Sequence, residues 1–318
     1  MNSGNTLVSI VIVSYNTCNL TDDCIASVKA QTQCAYELIV VDNNSTDETI
    51  SMLNSKYPEC ILIANSSNPG FAKANNQGFS IAKGKYYLLL NPDTVILDNA
   101  IDKLAGFMEI NPEVGASGPR NYSPCMQLQH NCDHFPSLWI DFTRYVRFRM
   151  AFPNSKLFNA YEMNYWNYSE LRKVDRIAGC SLMVRADIYK KLEGLDGSYF
   201  MYYEETDLCY RIYKCGYSVV YFPEAAIIHY WGESSKSAKQ ESVIDKVNMT
   251  HYLKSKYYFY RKNYSPMHAV LARSLDFSYG LILWLKNIMR NDPAIRADRL
   301  RKARLFIKHT TDLRPNDV

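Results

Sequence analysis

Residues 86 to 94 read Tyr-Tyr-Leu-Leu-Leu-Asn-Pro-Asp-Thr, a short apolar run that stops on Asn91-Pro92-Asp93. A run this short, bounded by Gly84-Lys85 and by a proline, suits a strand buried on both faces better than a helix. Pro92 has no N–H to carry a ladder further, so the strand ends there and presents Asp93 at its carboxyl end. That edge is where open α/β sheets bind ligands. A carboxylate there can hold a divalent cation, and the cation a diphosphate. Taken alone, the same residues also fit a strand-ending turn with a solvated Asp.

Two further runs repeat the pattern. Residues 7 to 13 are Leu-Val-Ser-Ile-Val-Ile-Val and lead to Ser14-Tyr15-Asn16. Residues 37 to 42 are Glu-Leu-Ile-Val-Val-Asp and lead through Asn43 and Asn44 to Asp47. Each run precedes a helix-like pattern, so the reading is βαβα with Asp and Asn gathered along one sheet edge. No G-x-G-x-x-G follows the first strand, and no G-x-x-x-x-G-K-[ST] occurs anywhere. The backbone phosphate cradles of dinucleotide-binding folds and P-loops are therefore absent, and a nucleotide held here needs a metal on Asp93 to neutralise its phosphates.

Farther along, Ser45 or Thr46 is placed to cap a helix running to about Tyr57, and residues 60–64 read as a strand. Asn68-Pro69-Gly70 opens a turn into a helix whose small residues permit close packing and whose Asn75 and Asn76 offer amides one turn in. Residues 98–109 read as helix and 114–117 as strand, whereas 121–172 are irregular and aromatic, an inserted region or a lid. Residues 176–185 form a strand with small residues at its start. Glu204 and Glu205 then open a helix on which Asp207 and Arg211 are spaced to pair. One of the two Glu is a candidate general base, although both also simply complement the helix dipole. Residues 217–222 and 225–230 read as two strands. They bring His229 to a strand end near Trp231 and Gly232-Glu233-Ser234-Ser235, as a structural residue or a ligand.

The nine cysteines are odd in number, scattered and without a C-x-x-C, and Cys125, His130, Cys132 and His134 match no standard zinc spacing. The first apolar run is too short for a signal peptide and lacks a basic flank, so a reducing, cytosolic compartment is expected. Charge is divided unevenly. Residues 251–318 hold fourteen Lys and Arg against five Asp, a net +9, leaving −5 for the rest of a chain whose total is +4. Residues 254–262 mix cations with aromatics, 267–290 form an apolar helix interrupted by His268, Arg273 and Asp276, and 294–309 form a basic one. This suits a helix lying on an anionic membrane surface better than one that spans it. Helices packed on the catalytic domain or at a homodimer seam are the alternative. No nucleic-acid-binding motif appears, so no nucleic-acid partner is expected.

In order along residues 7 to 235, the stretches Val8–Asn16, Val41–Asp47, Asn68–Gly78, Leu88–Thr94, Gly179–Arg185, Phe200–Arg211 and Ile228–Ser234 resemble family 2 glycosyltransferases of the GT-A fold, in particular the bacterial rhamnosyltransferase-like branch. The resemblance implies an α/β fold, a mostly parallel sheet flanked by helices. It divides the chain into a catalytic domain over 1–235, with 121–172 inserted on the acceptor side, and a basic helical extension over 236–318. It implies an inverting transferase taking a sugar from a nucleotide-diphosphate donor, with L-rhamnose from the deoxythymidine diphosphate as first choice and a uridine-diphosphate hexose or galactofuranose as second. The acceptor would be a saccharide or lipid-linked oligosaccharide of a surface polysaccharide, used at the inner face of the cell membrane. Asn91-Pro92-Asp93 stands in place of the family's D-x-D, so Asp93 becomes the main ligand of Mg²⁺ or Mn²⁺ and His229 completes the metal shell. Asp42 matches the acid that reads the nucleotide base, and Tyr15, Asn16, Asn44, Asn75 and Asn91 fall at donor-pocket positions. Glu205 falls where the family carries its base, with Glu204 beside it as the other candidate. A catalytically silent sugar-nucleotide scaffold is the alternative from another class.

Overall fold

The computed structural model describes residues 7–160, 163, 165–230 and 241–312; Trp231 and the Gly232-Glu233-Ser234-Ser235 stretch lie outside them. Along the chain come β1 (Val8–Ser14), α1 (Cys18–Gln31), β2 (Tyr36–Asp42), α2 (Thr49–Lys56), β3 (Ile61–Ala64), α3 (Phe71–Ser80), β4 (Tyr86–Leu90), β5 (Thr94–Leu97), α4 (Ala100–Ile110) and β6 (Val114–Tyr122). There follow β7 (Leu128–Gln129), β8 (Cys132–Asp133), α5 (Leu138–Val146), α6 (Phe148–Ala151), β9 (Arg172–Val174), β10 (Arg176–Ile177), β11 (Ser181–Arg185) and α7 (Ala186–Lys191). The last elements are α8 (Glu204–Lys214), β12 (Ser218–His229), α9 (Glu241–Asn263), α10 (Pro266–Ile288) and α11 (Pro293–Asp312). They form two compact units: Met1–Phe135 with Trp166–Phe200 and Glu204–Lys239, and Pro136–Tyr165 with Met201–Tyr203 and Gln240–Val318.

The first unit is built on a sheet of order β3-β2-β1-β4-β11-β6-β12-β5. β1 runs parallel to β2 and β4, and β2 to β3. The antiparallel β11 separates β4 from β6. Strands leave β1 first to one side and then to the other, so the topological switch lies between β1 and β4. Every residue of β1 and β4 is buried, which is why these strands are unbroken apolar runs rather than alternating ones. One face packs Ile10, Ile12, Val40, Leu88 and Leu90 against Leu104 and Met108 of α4. On the other face α3 presses on β1 at Gly78, where a Cβ would sit 2.7 Å from Val11 Cγ1. Only a residue without a side chain allows this approach.

Three local expectations give way to tertiary demands. α2 starts at Thr49 rather than at 45–46, because Asp47 Oδ1 accepts from Thr49 N at 3.1 Å while Ser45 and Thr46 bond elsewhere. The two strands expected at 217–222 and 225–230 are one, β12, whose register against β6 slips between Phe222 and Ala226. Pro223, with no N–H to give, sits in that slip. The region 121–172 is not irregular throughout. It continues β6 to Tyr122 and contains α5, capped by Ser137 Oγ accepting from Ile140 N at 3.2 Å.

The second unit joins α5 and α6 to the C-terminal helices α9, α10 and α11 around Leu253, Tyr257, Tyr260, Ala269 and Ala272. Lys256, which the sequence shows only as part of a mixed cationic and aromatic stretch, is wholly buried here. Its Nζ lies 2.9 Å from Asp276 Oδ1 and 2.9 Å from Asp141 Oδ2. Tyr257 donates to Asp276 at 2.7 Å, Tyr260 to Asp141 at 2.9 Å, and Tyr145 also bonds Asp276. Burial opposes the ammonium, but the two carboxylates outweigh it and raise the lysine pKa. Among the described residues, no helix is long and apolar enough to cross a membrane.

Candidate active site

Register aligns the carboxyl ends of the central strands. Ser14 pairs with Asp42, and Ile12 with Leu90, so Tyr15, Asn16, the loop after Asp42 and the Asn91-Pro92-Asp93 turn emerge along one edge. Asn16 and Asn44 have left-handed backbones (φ 53 and 67), a conformation that asparagine tolerates better than most residues. Asn16 accepts from Thr46 N at 2.7 Å and gives its own N–H to Ser45 Oγ at 2.9 Å, which ties the two loops together. Asp42 is fully buried, and its Oδ2 accepts from Ser45 N at 2.8 Å. Tyr15 is exposed.

On α3 the two candidate amides diverge. Asn75 is fully buried, and its Nδ2 donates to Phe71 O at 3.0 Å. Asn76 turns away, donating to Leu195 O at 2.6 Å and accepting from Tyr189 Oη at 2.6 Å, so it anchors the helix to the Gly194-Leu195 turn.

Asn91 N donates to Cys180 O at 2.9 Å. Beside it Asp93 is almost completely buried. The pairing of β5 with β12 sets His229 opposite Thr94, and His229 Nε2 comes 3.4 Å from Asp93 Oδ1. Burial works against the imidazolium, but Cys180 and the Asp93 carboxylate overcome it and raise the His229 pKa to about 10.

The two glutamates differ sharply. Glu204 is buried, and desolvation, followed by repulsion from Glu205, raises its carboxyl pKa well above the usual range. Glu205 Oε1 accepts from Arg176 Nη1 at 2.8 Å, and Arg176 also pairs with Asp133. A Cβ on Gly179 would stand 3.3 Å from Glu205 Cβ, so the strand start needs its small residue for this approach. Asp207 and Arg211 pair as spaced, Nε to Oδ2 at 2.7 Å, and Arg211 also caps Leu192 O and Gly194 O. The sequence reading missed Arg176 and Asp133, which lie 29 and 43 residues from their partners and carry no local signal. Tyr202 and Tyr203, which precede the acidic pair in sequence, both have left-handed backbones at φ 69. Such backbone costs about 1–3 kcal/mol per residue and gathers at functional sites.

Ten buried side-chain N or O atoms among the described residues have no hydrogen-bond partner. Six of them are Asp42 Oδ1, Asn75 Oδ1, Asn91 Oδ1, both oxygens of Asp93, and Glu204 Oε2. Each orphaned group costs about 1–3 kcal/mol, so their concentration here marks a place prepared for a ligand. Asp93 and His229 form a pair of potential metal donors; no group of three or more His, Cys, Asp or Glu stands together among the described residues.

Comparison with known proteins places the chain among glycosyltransferases. The family model described as glycosyl transferase family 2 matches residues 9–188. N-acetylglucosaminyl-diphospho-decaprenol L-rhamnosyltransferase of Mycobacterium tuberculosis is 27% identical over 242 residues, covering 72% of this chain and 78% of that protein. A UDP-Glc:alpha-D-GlcNAc-diphosphoundecaprenol beta-1,3-glucosyltransferase of Escherichia coli is 36% identical over 104 residues, 32% of this chain and 41% of that one. Among solved structures, a mannosyltransferase from Pyrobaculum calidifontis in complex with GDP-Man and Mn²⁺ superposes with a TM-score of 0.54 at 13% identity, over 97% of this chain and 86% of that one. That likeness is one of fold.

Proposed function

Because the chain belongs to glycosyl transferase family 2, whose model spans more than half of its residues, we propose that it moves one sugar from a nucleoside-diphosphate donor to a saccharide on a lipid diphosphate, inverting the anomeric carbon. The chain is a glycosyltransferase; the donor, acceptor and residue roles are this reading's own. The observation that carries it is the cluster of unpartnered buried oxygens along the sheet edge.

Asp42 Oδ1 is free to receive an N–H of the nucleotide base, and Asn75 and Asn91 offer acceptors to the rest of the donor. Tyr15, Asn16 and Asn44 border the same edge. Asp93, whose oxygens accept no hydrogen bond within the protein, and the His229 imidazole, once a cation takes the place of the proton it shares with Asp93, suit Mg²⁺ or Mn²⁺, which binds through one or two protein groups and takes its other ligands from substrate phosphates. When bound, such a cation supplies Lewis-acid neutralisation of the charge on the departing diphosphate. Glu205 takes the proton of the acceptor hydroxyl. Its bond to Arg176 uses Oε1, leaving Oε2 for that proton, while burial and the neighbouring Glu205 disfavour the charged form of Glu204 and make it the poorer base.

The acceptor class is supported by the names of both relatives, each a transferase onto an N-acetylglucosaminyl diphosphate of a polyprenol. L-rhamnose, as its deoxythymidine diphosphate, is the first donor because of the longer match. Glucose from UDP-glucose is the second, favoured by the higher local identity. Thermal unfolding against a panel of nucleoside diphosphates, with and without Mn²⁺, tests the site. One nucleotide should stabilise by about 2.7 kcal/mol at a hundredfold excess over its Kd. Asp93→Ala should lose the Mn²⁺-dependent part of that shift. A folded protein that responds to no nucleotide in either condition would sink the reading.

A further inference from the structure

α10 is apolar on two sides. Ala269, Ala272 and Gly280 lie inside, with Asp276 and Asn287 on the same buried stripe. The opposite side carries Val270, Phe277, Leu281, Ile282, Leu285 and Ile288, all exposed, with Ile282 at 60% and Leu285 at 56%. From Phe277 through Leu281 and Leu285 to Ile288 these positions recur at three- and four-residue spacing, with Val270 two turns earlier. A continuous apolar stripe in water marks a docking surface.

Beside the stripe, α5, α10 and α11 enclose a groove of about 460 Å³. Phe142, Val146, Ile282 and Leu283 give it apolar walls, and Tyr145 stacks on Tyr279 at 4.1 Å within them. Arg147, Lys286, Arg290 and Arg299 also line it, and no carboxylate does. None of these four cations makes an ion pair among the described residues. The nearby Asp298 is engaged by Arg301 and Lys302 at 3.1 and 3.2 Å. Unpaired cations around an apolar groove, continuous with an apolar stripe, match a layer that is hydrocarbon inside and phosphate at its surface.

We propose that this face of α5, α10 and α11 docks on an anionic lipid bilayer, with the α10 stripe in the acyl boundary and the groove cations on lipid phosphates. A second copy of the chain is the poorer occupant, since an isologous contact would set the same unpaired cations against one another in a segment of net +9. The proposal stands apart from the sugar-transfer reading, because its test measures no turnover and no nucleotide.

The full chain would be sedimented with vesicles of phosphatidylcholine alone and of phosphatidylcholine with a quarter phosphatidylglycerol. The expected result is binding to the second kind only, weakening as salt is raised. A basic residue near an anionic surface is worth about fivefold in partition, so Lys286→Ser, Arg290→Ser and Arg299→Ser together should lower it about a hundredfold. Ile282→Ser with Leu285→Ser should lower it at least about tenfold. All of these positions are on the surface, and circular dichroism with urea titration verifies that each variant folds. Unchanged binding by either folded variant, equal binding to both vesicle types, or no binding at all would overturn the proposal. So would a lipid-free dimer that the apolar variant dissociates, which would make this face a subunit seam.

Discussion

Replacing the two adjacent glutamates one at a time with glutamine separates their proposed roles. At position 205 glutamine keeps the shape and an oxygen that can accept from Arg176 Nη1, now at 2.8 Å, but it cannot hold a proton taken from an acceptor. A general base contributes about two to four powers of ten in rate. Glu205→Gln should therefore lose about 3–5 kcal/mol of transition-state stabilisation, since each decade is about 1.4 kcal/mol. The loss belongs in kcat, because the proposed donor site on Asp42, Asn75 and Asp93 is untouched; donor KM should stay within about threefold. At position 204 burial, followed by repulsion from Glu205, raises the carboxyl pKa and so disfavours its charge. Glutamine there keeps the shape and removes only a charge that burial already disfavours, so Glu204→Gln should keep kcat within about threefold. The assay is steady-state release of nucleoside diphosphate with acceptor present, with donor and acceptor each varied. The reverse pattern, full turnover from Glu205→Gln and collapse in Glu204→Gln, would refute the assignment. Near-normal turnover in both would show that neither acid is the base.

The same shift governs stability against pH. A carboxyl whose pKa is raised on folding contributes fully below its unfolded value, near 4.5, and that contribution is lost as pH rises toward the folded value. Glu204→Gln should thus match the parent at pH 4 and become more stable than it toward pH 8, by at most about 1.4 kcal/mol per pH unit; parallel urea midpoints that never diverge would contradict this. In the second unit, Lys256→Met leaves two buried carboxylates without their cation and should cost about 3–5 kcal/mol in urea unfolding. Adding Asp276→Leu should restore part of that, and a single-variant cost below about 1 kcal/mol would mean the cluster is solvated. Gly78→Val forces a side chain against Val11 Cγ1, 2.7 Å from the Cβ position, and should cost about 1–3 kcal/mol. Because Asn75 lies one turn earlier on the same helix, the nucleotide-induced thermal shift should fall as well, and a full-sized shift would detach that helix from the site.

The fold class and its family were legible because parallel strands buried on both faces must be unbroken apolar runs, and β1, β2 and β4 each end where the apolar run ends. The line of Asp and Asn at those ends follows from the same arithmetic, since parallel register places the ends of neighbouring strands together. Helix starts were less legible. Ser45 and Thr46 have good capping side chains, yet their bonds to Asp42 and Asn16 cross between loops, and local propensity yields to such contacts.

By itself, then, the chain's order of residues determined the sheet, the acidic edge and the pair of glutamates, because each is written within a few neighbouring positions. Only the tertiary structure decided what those groups are chemically. Glu204 and Glu205 are the same residue type side by side, and burial with Glu205 beside it raises the pKa of one while Arg176, 29 residues away, pairs with the other. Likewise Lys256 reads as one more cation of a basic tail until Asp141 and Asp276 close around it, 115 residues before it and 20 after. Charge state depends on solvent exclusion and on partners brought together across the chain, and neither is encoded at the position itself.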